Sequence, residues 1–231
     1  MSKDASFALE AVSRAVLFKG LPEAAIRESL AVARPLNLRK GQRLFSRGDP
    51  GQTMFIIVKG SIEISLTGSD GRKISLNMME PGACFGEIGM LDGHPRSADA
   101  VAAVASSLLV IPRDGFLAAA RAHPDLALGL ARLLSSRVRW ISDSVEDFAL
   151  LPIDRRLARR LLILFERFAD DKGAIAISQG DLADFAGATR ETTNRILSAW
   201  RKRGWIAMGR KKVTLLERAK LDDFAMAADG S

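Results

Sequence analysis

The stretch FGEIGMLDGHPRSA (residues 85–98) sets a carboxylate, Glu87, and a guanidinium, Arg96, on either side of a Gly/Asp/His/Pro turn. Gly86 lets backbone come close to a bound group, because no Cβ stands in the way. Arg96 can hold an anionic phosphate through paired, charge-assisted hydrogen bonds. Ser97 adds a hydroxyl, and Glu87 can accept from hydroxyls such as those of a ribose. Acid plus arginine therefore suits a ligand carrying both sugar and phosphate, with Gly86, Glu87, Ile88, Arg96 and Ser97 as the candidate binding residues. The same two charges could instead close a Glu87–Arg96 salt bridge within a turn, and the residues alone leave both readings open.

Around this stretch, from about residue 36 to 112, the chain runs in short apolar or alternating segments punctuated by glycines at 41, 48, 51, 60, 68, 71, 82 and 86. Short strands with frequent turn signals predict an antiparallel β-roll, of the double-stranded β-helix or jelly-roll kind. Asp70-Gly71 in SDGRK marks a hairpin tip. Residues 5–33 read as short helices, with Pro22 near one helix start.

After Pro124 the period changes. Ala127, Ala131, Leu134, Val138, Ile141, Val145 and Phe148 recur at alternating spacings of four and three, an a/d seam of three heptads. A second apolar set, Leu126, Leu130, Leu133 and Trp140, is left to face the chain's own β-domain. A helix with two apolar faces needs two partners. This predicts a homodimer through residues 124–150; a helix packed only on its own domain is the alternative. Pro152 ends the helix, and a hinge falls at LLPID.

The last third reads as three helices and a hairpin with a Gly-Arg turn, with residues 221–231 carrying no strong signal and fraying. It is also the basic part. Residues 151–231 hold sixteen Lys/Arg against eleven Asp/Glu, and 189–212 hold eight basic residues and one acid, Glu191. Such asymmetry favours a polyanion partner. With Thr189 as N-cap, Asn194, Glu191 and Arg195 lie at about 40°, 100° and 140° from Arg190 on a helical wheel, opposite Thr193, Ile196, Leu197 and Trp200. Arg suits guanine and Glu the cytosine amino group. A lone acid amid basic residues argues for base readout over plain phosphate binding. Leu182, Ala183 and Gly187 fit a preceding helix and tight turn, giving helix-turn-helix geometry on double-stranded DNA. Arg210 and Lys211 would form the tip of a wing against phosphate. A generic three-helix domain with a solvated basic face is the alternative.

The chain has 231 residues, net charge +7, one cysteine (Cys84) and two histidines (His94 and His123). An intramolecular disulfide is excluded and a metal centre is not expected. Cys84 reads as a small buried strand residue and His94 as a solvated turn residue. No apolar run approaches membrane length, and MSKDASFALEAVSR has acids and no apolar core, so a cytoplasmic protein is expected. No His/Asp metal set or nucleophile–base pair lies near residues 85–98, so an enzyme is not expected.

GEIGML…PRSA resembles the phosphate-binding cassette of cyclic-nucleotide-binding domains. Followed by the long helix and TRETTNRIL, it makes nearly the whole chain resemble the cyclic AMP receptor protein/Fnr (Crp/Fnr) family of bacterial transcription regulators. The resemblance implies an α+β fold: a β-roll with N-terminal helices over 1–120, a dimerisation helix and hinge over 121–151, and a winged helix-turn-helix over 152–231. It implies that Glu87 takes the ribose 2′-hydroxyl of cyclic AMP or cyclic GMP, and that Arg96 and Ser97 take the cyclic phosphate. It further implies that Arg190, Glu191 and Arg195 read a TGTGA-type half-site, that two subunits bind a palindrome, and that RNA polymerase is a partner. Ile141 and Ser142 fall where the family's cyclic AMP receptor has adjacent Thr and Ser on adenine. The threonine is absent, which leaves base selectivity open. The Fnr branch's N-terminal cysteine cluster is also absent.

Overall fold

The computed structural model describes residues 12, 13 and 15–227. Residues 5–11 and 14 of the expected N-terminal helices, and 228–231 of the expected frayed end, lie outside the described residues. Two compact units divide the chain, one built on residues up to Leu66 and Leu76–Ile141, the other on Thr67–Ser75 and residues from Ser142 on.

The first unit begins with a short 3-10 turn, Val16–Phe18, and helix α1 (Glu23–Leu30), which Pro22 precedes in extended conformation. Strands β1 (Arg34–Leu38), β3 (Thr53–Lys59), β6 (Cys84–Phe85) and β8 (Ser106–Pro112) form one sheet in the order β1-β8-β3-β6. Strands β2 (Arg43–Phe45), β4 (Ile62–Thr67), β5 (Lys73–Met79) and β7 (Asp99–Ala102) form the other, in the order β2-β7-β4-β5. The expected roll is therefore present. Strand β3 explains its thickness. Met54 and Ile56 enter a core shared with Leu17, Phe18 and Phe116, while Phe55 and Ile57 enter a second core with Ile62, Phe85 and Ala100. A strand covered on both faces loses its alternation and reads as one apolar run. The glycine-marked hairpin turn between β4 and β5 forms as expected, with Gly71 at φ +77°.

Helix α2 (Glu87–Asp92) follows β6 directly; α3 (Arg113–Ala122) follows β8; α4 (Asp125–Leu150) is the long helix. Leu126, Leu130 and Leu133 of α4 are buried in the first core, as the second apolar set requires, whereas Trp140, its fourth member, is half-buried and outside that core. Val138, Ile141 and Val145 of the heptad seam are 63%, 48% and 60% exposed. Two seam positions depart from the heptad reading. Leu134 packs beside the first core. Phe148 is taken by the second unit, where Arg156 lies 4.6 Å over its ring and a Cβ on Gly187 would meet it at 2.5 Å.

The second unit holds α5 (Ile153–Phe168), α6 (Gln179–Ala186), α7 (Arg190–Lys202) and α8 (Arg218–Met226), with a sheet of β9 (Ala174–Ile175), β10 (Ile206–Gly209) and β11 (Lys212–Leu215) in the order β10-β11-β9. Two expectations are corrected here. The wing turn is Arg210-Lys211, with Gly209 inside β10. Residues 221–226, expected to fray, are ordered as part of the helix Arg218–Met226. That helix is α8, whose Leu221 and Ala225 are buried and whose Phe224 packs on Trp200 and Trp205 at 6.0 and 5.6 Å. The cause is tertiary: two tryptophans supply the apolar wall that a nine-residue helix needs.

Candidate nucleotide pocket and nucleic-acid interface

Gly86, at φ +79°, turns β6 into α2. This is the left-handed region that disfavours any Cβ, and the space is also occupied, since a Cβ there would lie 2.8 Å from Arg96 Nη1. The turn puts Glu87 at 3% exposure and, after the second left-handed glycine, Gly93, returns the chain to Arg96 at 5% exposure. The backbone of Arg96 is clamped to the loop before β3: its amide donates to Asp49 O at 2.8 Å and its carbonyl accepts from the Gly48 amide at 2.9 Å.

The proposed alternative of a Glu87–Arg96 salt bridge is not what forms. Arg96 Nη1 donates to Thr53 O at 2.7 Å and Gly86 O at 3.0 Å, and Nη2 donates to Thr53 Oγ1 at 2.8 Å. Its guanidinium carbon stands 4.4 Å over the Phe45 ring and 5.3 Å from that of Phe55. An arginine has five N–H donors, so three bonds leave Nε–H and one Nη2 N–H. Nε is buried with no hydrogen-bond partner. Nε and Nη2 make up one fork of a guanidinium, the geometry that grips paired phosphate oxygens. Burial pulls the Arg96 pKa below its ordinary value, while the charges of Asp49 and Glu87 oppose the shift.

Glu87 is paired instead with Arg137 of α4, whose Nε lies 3.3 Å from Oε1. Arg137 Nη2 also donates to Cys84 O at 2.7 Å. The candidate site thus carries two guanidiniums against the single buried carboxylate of Glu87, an excess that suits an anion. Ser97 is exposed beside Arg96, Ile88 is 40% exposed, and Ile141 and Ser142 are exposed one turn beyond Arg137 on α4. Arg137 was legible in principle, as a cation four residues after Leu133 on the inward stripe. Thr53, Phe45 and Phe55 were not, because strand pairing brings them in from more than 30 residues away. Cys84 is buried as expected, and burial pushes its thiol up to about 12, with Glu87 adding to the shift and Arg137 opposing it. His94 is solvated, its amide held by Asp92 Oδ1 at 2.9 Å.

In the second unit, Ser178 and Asp181 form a reciprocal capping box on α6, Gly187 ends it at φ +61°, and Thr189 Oγ1 caps α7 by accepting from the Thr192 amide at 3.2 Å. Thr193, Leu197 and Trp200 are buried, which fixes the rotation of α7 and leaves Arg190, Glu191 and Arg195 exposed. Arg190 and Asn194 line a groove of about 430 Å³ with Gly180, Arg210, Lys211 and Lys212. Arg195 lines a different groove, of about 450 Å³, on the flank formed by Ile153, Asp154 and Phe224. The polar face is thus real but divides between two sides of the helix, with Lys211 held at the wing tip at φ +51°.

Three arginines of α5 tie α6 and α5 to the last turns of α4. Arg156 Nε donates to Ala186 O at 2.7 Å, at the carboxyl end of α6, and its Nη1 donates to Phe148 O at 3.3 Å. Asp147 takes Arg159 at 2.8 Å and faces Arg160 at 3.8 Å, and Arg160 also donates to Ser144 Oγ at 3.2 Å. Burial lowers the pKa of Arg156, with the neighbouring charge of Arg160 adding to it and Asp147 opposing both.

Residues 35–123 match the cyclic nucleotide-binding domain family, and residues 155–224 match the Crp-like helix-turn-helix domain family. The chain is 31% identical over 209 residues to the cyclic AMP receptor protein of Thermus thermophilus, covering 90% of this chain and 96% of that one. It is 29% identical over 217 residues to the CRP-like cAMP-activated global transcriptional regulator of Mycobacterium tuberculosis, covering 92% and 97%. The solved structure of FixK2 from Bradyrhizobium japonicum is similar with a TM-score of 0.75 at 25% identity, covering 85% and 99%. The chain belongs to the Crp/Fnr family of DNA-binding transcription regulators. No helix among the described residues is long and apolar enough to cross a membrane.

Proposed function

We propose that this chain is a cytoplasmic homodimer that binds cyclic AMP or cyclic GMP and, in response, binds a TGTGA-type palindrome and engages RNA polymerase. The observation that carries the reading is the state of Arg96: buried, anchored through Nη1 and Nη2, and left with an unpartnered Nε and a spare Nη2 N–H. A cyclic phosphate monoanion would take that fork, with Ser97 beside it. Glu87 would accept from the ribose 2′-hydroxyl alongside Arg137. Gly86 and Ile88 would border the ribose, and Ile141 and Ser142 would meet the base. The exposed seam of Val138, Ile141 and Val145 supports pairing of two copies of residues 124–150.

In that dimer each α7 would enter a major groove, the two lying about 34 Å apart on successive turns. Thr189, Arg190, Glu191, Asn194 and Arg195 would face DNA, with Arg210 and Lys211 on its phosphates. Nucleotide acts only through its differential affinity for the DNA-competent arrangement. The segments 1–120, 121–151 and 152–231 would then sense, join and read. The similarity to a CRP-like cAMP-activated global transcriptional regulator supports the nucleotide.

A second reading has its own observation: Arg137 already partners Glu87, so the candidate site is partly self-satisfied and the regulator would act without nucleotide or sense another signal. Titration calorimetry with cyclic AMP and cyclic GMP, paired with anisotropy on a TGTGA palindrome, separates the two. Saturable binding that tightens the duplex supports the first. Silence from both nucleotides in a dimer that still binds the duplex supports the second.

A further inference from the structure

Gly180 is the second residue of α6, two positions after the Ser178 cap. Its backbone is ordinary helix, outside the left-handed region where glycine is needed, and alanine is the better helix former there. What glycine supplies is space. An ideal Cβ at Gly180 would fall 3.0 Å from both Nε and Nη2 of Arg190 and 3.2 Å from its Cζ. With Cζ farther than Nε and Nη2, that point lies off the Nε–Nη2 edge of the guanidinium, so this edge packs obliquely against the bare α6 backbone. Arg190 makes no hydrogen bond or ion pair among the described residues, so no polar bond fixes this long, flexible side chain and the contact with Gly180 is free to bear on its rotamers. The contact lies in the groove that Asn194, Arg210 and Lys211 also line.

We propose that Gly180 is a positioning residue for base readout: by leaving room for the Nε–Nη2 edge it limits Arg190 to rotamers that leave its terminal Nη1–Nη2 fork for the groove. Two parallel donors must meet the N7 and O6 acceptors of a guanine together, and that geometry tolerates little rotation. A methyl at residue 180 pushes that edge away and widens the angular range of the guanidinium. The inference rests on the base-reading role proposed for Arg190, and it makes residue 180 a specificity determinant that touches no base itself.

The test uses the full-length dimer and fluorescence anisotropy at one fixed salt concentration. The readout is the ratio of Kd between a TGTGA-type palindrome and palindromes with each guanine pair replaced in turn. Arg190→Ala should lower discrimination at one guanine by roughly 5- to 150-fold, the range of a bidentate contact. Gly180→Ala should lower it at the same guanine by on the order of 3- to 10-fold, a part of that contact. Its Tm should stay at or above that of the parent, and it should change nothing further in the Arg190→Ala background. If Arg190→Ala leaves every ratio unchanged, the reading of Arg190 fails and the inference fails with it. If Arg190→Ala lowers the ratio but Gly180→Ala leaves it unchanged or raises it, only the positioning role of Gly180 is overturned. A loss that persists in the Arg190→Ala background also overturns it, because the effect then does not pass through Arg190.

Discussion

Replacing Arg96 with lysine keeps the positive charge and removes the fork, so it separates geometry from charge in the pocket. The parent guanidinium uses three donors on Thr53 and Gly86 and has two left for a ligand. A lysine ammonium has three donors on one nitrogen and cannot serve Thr53 O, Thr53 Oγ1, Gly86 O and a phosphate together. Hydrogen bonds to charged groups contribute about 1.5–3 kcal/mol each. Loss of one such bond, and poorer alignment of the charge that remains, gives about 2–4 kcal/mol, or roughly 30- to 1,000-fold in Kd. The fold should survive with a lower Tm, because carbonyls of Thr53 and Gly86 lose a donor. Titration calorimetry with cyclic AMP and cyclic GMP reads the affinity, and circular dichroism checks the fold. A folded Arg96→Lys variant whose Kd lies within threefold of the parent for the nucleotide that binds would refute the argument, since it would mean charge alone holds the ligand.

Thr193 is fully buried at the packed face of α7, and its hydroxyl has no partner. Thr193→Val should therefore raise stability by about 1–2 kcal/mol at unchanged m-value in urea unfolding; no gain would mean that the hydroxyl bonds back to Thr189 O. Lys211 at φ +51° carries left-handed strain of about 1–2 kcal/mol. Against about 0.4–1 kcal/mol of added unfolded-state entropy, Lys211→Gly should leave a small net stabilisation, while DNA affinity falls uniformly across sequences and the salt slope drops by about 1. The Cys84 thiol, pushed up to about 12 from the ordinary 9.0, should resist thiol reagents at pH 8 until the protein is unfolded. Because the folded form holds its proton more tightly, stability should fall as pH rises from about 9 toward 12. A Cys84→Ala variant should lack that part of the alkaline slope in pH-dependent unfolding.

Local chemistry alone determined much of this protein. Turn glycines, the two-faced period of α4, the Thr189 cap and the Thr193/Leu197/Trp200 face of α7 depend on spacing within a few residues, which a sequence displays directly. The roll, the long helix and the helix-turn-helix were legible for that reason, and so were Glu87, Arg96 and Arg190 as charges of interest. What those charges touch was decided by tertiary structure. Arg96 sits between Thr53 and Phe45 because β3 and the loop before it fold over the turn at Gly86, and Glu87 meets Arg137 from 50 residues away. Phe148 fits the heptad seam by spacing, yet it is drawn to Gly187 and Arg156. Residues from 221 on carry no strong signal, yet Trp200 and Trp205 hold 221–226 in a helix. Pairings of this kind gain their free energy only when distant segments exclude water together, so no short window of sequence contains them.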